Sequence, residues 1–143
     1  MGDTPESTDL LALAERILDQ QPFSRVIGAR VVDFGNGSAT FRIPVREELK
    51  QQHGFLHGGL LATAADIALT FAGGAALGPN VLTSGFTIDF VKPAQGVALV
   101  ARARVVHAGS RHAVCVCELS TEDEQGSPTL VAVAQGTIRG TGG

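Results

Sequence analysis

Between Gly58 and Leu77 the chain has no lysine, arginine or glutamate, and its only acid is Asp66. From Leu60 to Ala72 the polar positions are Thr63, Asp66 and Thr70, spaced three and then four apart. That spacing sets them on one stripe of a helix, with Asp66 in the middle. A surface helix has a broad charged face. This one has a polar stripe one residue wide, flanked by Leu, Ala, Ile and Phe, so it must be covered on most sides. Its many alanines allow close approach of whatever covers it.

The rest of the chain supplies the cover. Four strand candidates follow the helix: Thr83–Val91, Val97–His107, His112–Thr121 and Thr129–Arg139. Two precede it, Arg25–Phe34 and Ser38–Pro44, joined by Gly35-Asn36-Gly37, a hairpin turn signal. Before them, Leu10, Leu13, Ala14, Ile17 and Leu18 share one face of a helix capped by Thr8 or Asp9 and running through Gln20, with Pro22 ending it. The central helix is expected to stop at Gly73-Gly74 or at Gly78-Pro79. One long helix wrapped by one antiparallel sheet of about five or six strands, plus an N-terminal helix, is an α+β arrangement. The 143 residues suit one domain. Residues 1–8 read as a flexible tail, 9–139 as a single domain and 140–143 as a frayed end.

Composition excludes several classes of function. A formal charge of −3 gives no footprint for nucleic acid. Thr63, Asp66, Thr70 and glycines interrupt the richest apolar run, Leu60–Leu77, which argues against a membrane span. The start, Met1-Gly2-Asp3-Thr4-Pro5-Glu6, is neither a signal peptide nor a myristoylation site. Cys115 and Cys117 sit two apart on a strand and point to one face, so they read as buried reduced thiols of a cytoplasmic protein. No His or Asp is spaced to complete a metal site with them.

The chemistry concentrates at the entrance to the central helix, Gln51-Gln52-His53-Gly54-Phe55-Leu56-His57-Gly58-Gly59. A helix start presents unpaired N–H groups that bind negative charge or a polarised carbonyl. A lone carboxylate on an apolar helix is expensive to bury and usually has a task. Gly58 lies eight residues before Asp66, roughly 12 Å along the axis at about 1.5 Å per residue. One carbonyl cannot touch both. If both act on one substrate they come from different subunits, through antiparallel copies of the helix related by a two-fold axis near Ala62, giving two equivalent sites per dimer.

Together, Gln51, His57-Gly58-Gly59 and Asp66 resemble the hotdog-fold acyl-CoA thioesterases, in particular the phenylacetyl-CoA and hydroxybenzoyl-CoA thioesterase-like branch. Phe86-Thr87-Ile88-Asp89-Phe90-Val91-Lys92-Pro93-Ala94 is similar to that branch's strand after the helix. Ala103–Gly109 with Arg111 resembles the next hairpin, and Leu130-Val131-Ala132 with Gly136-Thr137 the last strand. The likeness runs from about Phe23 to Arg139.

The resemblance implies a hotdog fold and a role for each matching residue. Asp66 matches the catalytic carboxylate, as nucleophile or as general base for water. Gly58 matches the glycine whose N–H polarises the thioester carbonyl. His57 either shapes the turn and touches substrate or simply caps the helix. Gln51 matches an amide that orients water or carbonyl, with Gln52 in a shifted register as the alternative. Thr83 matches a hydroxyl that places water, with Ser84 as fallback, and Thr70 lies near the carboxylate. Gly59 belongs to the same turn.

A thioester carbonyl is already electrophilic and needs a placed oxyanion donor and a carboxylate, with no metal and no cofactor beyond the coenzyme A carried by the substrate. Basic groups should rim the mouth: Arg111 beside Gly109 and Ser110 first, then Lys92, Arg102, Arg104 and Arg139. The acyl group should lie in an apolar slot at the subunit interface, with Leu56, Leu60, Phe71 and Phe90 as candidates to line it, otherwise core. The implied partner is a second copy of the chain, a homodimer assembling further to a homotetramer. Two rival functions are a hotdog enoyl-CoA hydratase or dehydratase, whose His-Phe-Pro and Asp-(x)4-His patterns are missing here, and a non-catalytic acyl-CoA-binding protein.

Overall fold

The computed structural model describes residues 7–141. The expected tail lies outside this range apart from residues 7 and 8, as do residues 142–143 of the expected frayed end. Helix α1 spans Ser7–Asp19 and is followed by a short helix α2, Pro22–Ile27. Strands β1 (Arg30–Gly35) and β2 (Ser38–Pro44) precede the central helix α3 (Gly58–Leu77). Strands β3 (Val81–Phe90), β4 (Ala98–Ala108), β5 (His112–Glu122) and β6 (Pro128–Gly140) complete the chain.

The six strands form one sheet in the order β1-β2-β4-β5-β6-β3, and every pairing is antiparallel. The two-residue turn Asn36-Gly37 joins β1 to β2, with Asn36 at φ 54° and Gly37 at φ 71°. Both values are left-handed, the conformation that matches strand twist in a tight hairpin. The strand after α3 does not pair with its successor. β3 crosses to β6 and becomes an edge of the sheet.

α3 lies on one face of the sheet and packs against all six strands. Ala65, Ala68, Leu69 and Ala72 of α3 are wholly inaccessible, as are Leu119, Val131 and Ile138 of the sheet. Each large side chain buried in this way contributes about 1.5–3 kcal/mol. Phe71 stacks edge-on with Phe41 (4.9 Å) and Phe34 (5.9 Å). By length and composition α3 would qualify as a membrane span in spite of its polar interruptions, but half of it is spent on this core.

The sequence reading needs four corrections. Arg25, Val26 and Ile27 are helical, not extended: Pro22 fits the first turn of α2, and Gly28 at φ 75° ends it. Pro22 therefore opens a helix, and α1 has already stopped at Asp19. α1 begins at Ser7, so Thr8 and Asp9 lie inside its first turn. Of the two stops expected for α3 the later one holds: the helix passes through Gly73-Gly74 and ends at Gly78, whose φ is 101°. Gly73 is tolerated because it meets β6 closely: a Cβ there would lie 2.6 Å from Ile138. At the other end, Gly140 belongs to β6 and Thr141 donates its N–H to Asn80 O at 2.8 Å.

Candidate active site

Asp66 is partly buried on the polar stripe of α3. Its Oδ1 accepts a hydrogen bond from Thr83 Oγ1 at 2.7 Å, across to β3. Thr70, one turn on, donates to the Asp66 carbonyl at 2.7 Å and lies 3.5 Å from Asp66 Oδ1. The Thr70 and Thr83 hydroxyls are themselves 2.7 Å apart. Three side chains therefore make one hydrogen-bonded cluster, which fixes one carboxylate oxygen. Thr63 is not part of it and donates back to Gly59 O at 2.9 Å.

The choice of Thr83 over Ser84 comes from a β-bulge. β3 pairs Thr83 with Ile138 and Gly85 with Thr137, so Ser84 is the extra residue, and it is exposed. The Thr83 side chain is thereby aimed at the helix.

The entrance to α3 is a second centre. His57 is the N-cap, and its Nδ1 accepts the Gly59 N–H at 2.8 Å. A side chain at 59 would come within 2.9 Å of that nitrogen, which accounts for Gly59. Leu60 N–H donates to His57 O at 2.9 Å. The Gly58 N–H has no partner among the described residues, and Gly58 lines a cavity of about 360 Å³ together with Gln51, Phe90 and Lys92. Gln51 Oε1 accepts from His53 N–H, which leaves its NH2 group as donor. Gln52 is exposed and does not line this cavity.

Asp66 is not part of that cavity. Within one chain the carbonyl-binding end and the acid lie on different stretches of α3. The basic candidates divide as well. Lys92 belongs to the Gly58 cavity, whereas Ser110, Arg111 and Arg139 line a cleft with Leu77 and Asn80 at the opposite end of α3. Gly109 forms the adjoining turn through its N–H to His112 O. Arg102 and Arg104 are exposed on another surface, beside Asp33 and Glu118. Leu56, Leu60 and Phe71 are buried in the core, although Leu56 also lines the Gly58 cavity and Phe71 a separate cleft beside α1; Phe90, on the Gly58 cavity, is 55% exposed.

Cys115 and Cys117 are both free and buried. Burial pushes their thiols up to about 11 and about 12 respectively, so they are inert at neutral pH. Among the described residues no cluster of three or more His, Cys, Asp or Glu is placed to hold a metal.

The sequence reading missed one feature of the site. A cleft of about 450 Å³ runs between α1 and the C-terminal half of α3 and reaches Thr70. Its signal was present: Leu10, Leu13 and Ile17, three and four apart, form one face of α1.

Residues 53–127 match the family model described as Thioesterase superfamily. A Halobacterium salinarum protein with a provisional esterase name is 32% identical, the match covering 94% of each chain. The acyl-coenzyme A thioesterase PaaI of Escherichia coli is 27% identical over 91% of this chain and 90% of its own. Among solved structures, a thioesterase family protein from Silicibacter pomeroyi superposes with a TM-score of 0.86 at 29% identity, covering 93% of this chain and 99% of that one.

Proposed function

The chain belongs to the thioesterase superfamily, and from that premise we propose that it hydrolyses acyl-coenzyme A thioesters to the free acid and coenzyme A. The observation that carries this reading is the Asp66–Thr83–Thr70 cluster on an otherwise apolar helix. Two hydroxyls anchor the acid through Oδ1 and its own carbonyl, leaving its other oxygen, Oδ2, to attack the carbonyl or take a proton from water. The name of the Escherichia coli relative supports coenzyme A as the thiol.

The oxyanion donor in this reading is the unpaired Gly58 N–H at the positive end of α3, assisted by the Gln51 NH2. Gly58 and Asp66 of one chain are roughly 12 Å apart along the helix. The site is accordingly completed by a second copy, whose Gly58, Gln51 and Lys92 face Asp66. Edge strand β3, with exposed Leu82 and Phe90 and one side unpaired, supports such an assembly. Lys92, which lines the Gly58 cavity, then serves the phosphates of coenzyme A, a role that Arg111 at the other end of α3 does not share within one chain. This chemistry uses no metal and no further cofactor.

The test is thioester cleavage across an acyl-CoA panel, with Asp66→Asn as control. We expect turnover in the wild type and a loss of about 10²–10⁴-fold in the variant, the range for a removed base. Undiminished turnover by Asp66→Asn refutes the assignment, and binding without turnover in the wild type supports the non-catalytic rival. Hydration of enoyl-CoA without thioester cleavage supports the hydratase rival. For the shared site, heterodimers pairing a variant at the helix start with Asp66→Asn should regain one intact site of two; no recovery refutes the dimer arrangement.

A further inference from the structure

Building on the thioester-hydrolase reading, we infer that the cleft between α1 and α3 receives the acyl chain, and that Gly74 sets the length it accepts. The cleft holds about 450 Å³ and is walled by Leu10, Leu13 and Ile17 of α1 with Phe34, Phe71 and Val81. Of its two polar residues among the described ones, Gln21 is already bonded to Ser24. The other is Thr70, which touches both Asp66 and Thr83. The apolar space therefore begins where the acid cluster ends.

Gly74 follows Thr70 by one turn and Asp66 by two, on the same stripe. Glycine inside a helix weakens it relative to alanine, so each one needs a reason. Packing gives Gly73 its reason, the close contact with Ile138. It gives Gly74 none: a Cβ there would meet Val81 Cγ2 at 3.5 Å, an ordinary contact. The space kept open at Gly74 is the cleft. Leu13, whose side chain lines it, is 41% exposed, so α1 leaves this apolar wall uncovered.

The dimensions select a class of acyl group. A cavity of ~150 Å³ holds one benzene ring, and this cleft is roughly three times that. Asp66 to Gly74 spans roughly 12 Å along the helix. With carbon–carbon bonds of ~1.5 Å, a zigzag chain covers that distance in about nine or ten carbons. Medium-chain acyl groups fit, with the terminal methyl beside Gly74.

Hydrolysis of acetyl-CoA through decanoyl-CoA by the wild type, Gly74→Leu and Gly74→Ala tests this. The wild type should prefer decanoyl to acetyl. In Gly74→Leu the ratio of their kcat/KM values should fall at least about tenfold, and Gly74→Ala, for which there is room, should shift it the same way by less. A wild type indifferent to chain length, or an unchanged ratio in both variants, overturns the inference. Calorimetric titration with decanoate needs no turnover and separates this inference from the parent reading. Binding by the wild type that is weakened in the variants supports the cleft even if no thioester is cleaved, and no binding by the wild type overturns it.

Discussion

Adjacent glycines on α3 should respond to one substitution with opposite sign. A methyl group at Gly73 would lie 2.6 Å from Cβ and Cγ2 of Ile138 and 2.8 Å from its Cγ1. Ile138 is wholly buried on β6, between β5 and β3 in the sheet, and no rotation moves its Cβ. Carbon contacts settle near 3.5–4.0 Å, so α3 must lift from β6 by about 1 Å. Overpacking of this kind costs about 1–3 kcal/mol, of which replacing a helical glycine returns about 1 kcal/mol. We expect Gly73→Ala to lose up to about 2 kcal/mol net. At Gly74 the same methyl makes an ordinary contact, so the helix gain of about 0.5–1 kcal/mol survives. Urea unfolding of both variants at one protomer concentration measures the difference. Ile138 also pairs directly with Thr83, the partner of Asp66, so Gly73→Ala should lower turnover too. Equal stabilities for the two variants would refute this account of the helix–sheet contact.

Thr83→Val keeps the side-chain shape and removes the 2.7 Å donor to Asp66, while Thr70 retains its bond to the Asp66 carbonyl. A hydrogen bond to a charged group is worth about 1.5–3 kcal/mol, so kcat should fall about ten- to a hundredfold with little change in melting temperature; a loss under about threefold contradicts the positioning role. His57→Ala removes the acceptor for Gly59 N–H and should cost about 1 kcal/mol, whereas His57→Asn should restore most of it in thermal melts. The folded thiols titrate at about 11 and about 12, above their unfolded value of 9.0. The unfolded chain therefore binds fewer protons across that interval, and stability should decline as pH rises from about 9 toward about 12. Urea midpoints should show a shallower alkaline decline when both cysteines are replaced by alanine.

The α3 stripe was legible in the sequence because a helix repeats every 3.6 residues and its faces follow from spacing alone. The Asn36-Gly37 hairpin was legible for a comparable reason, since left-handed backbone selects those residues. Val26 and Ile27 misled because branched side chains suit a strand, yet Pro22 and Gly28 bracket a helical turn more strongly. Gly73-Gly74 stood beside Gly78-Pro79 as a possible stop because local propensity knows nothing of Ile138, sixty-five residues after Gly73.

The order of apolar and polar residues alone determined that one acid would stand on a covered helix and that glycines would open its start. Only the tertiary structure decided which hydroxyl meets the acid, because the bulge at Ser84 aims Thr83 at a residue seventeen positions earlier. It also decided that α1 stands off α3 far enough to leave a cleft. Helix periodicity is a property of neighbours in the chain. A bulge register and the gap between two helices depend on how distant segments share one core, and no local pattern encodes them.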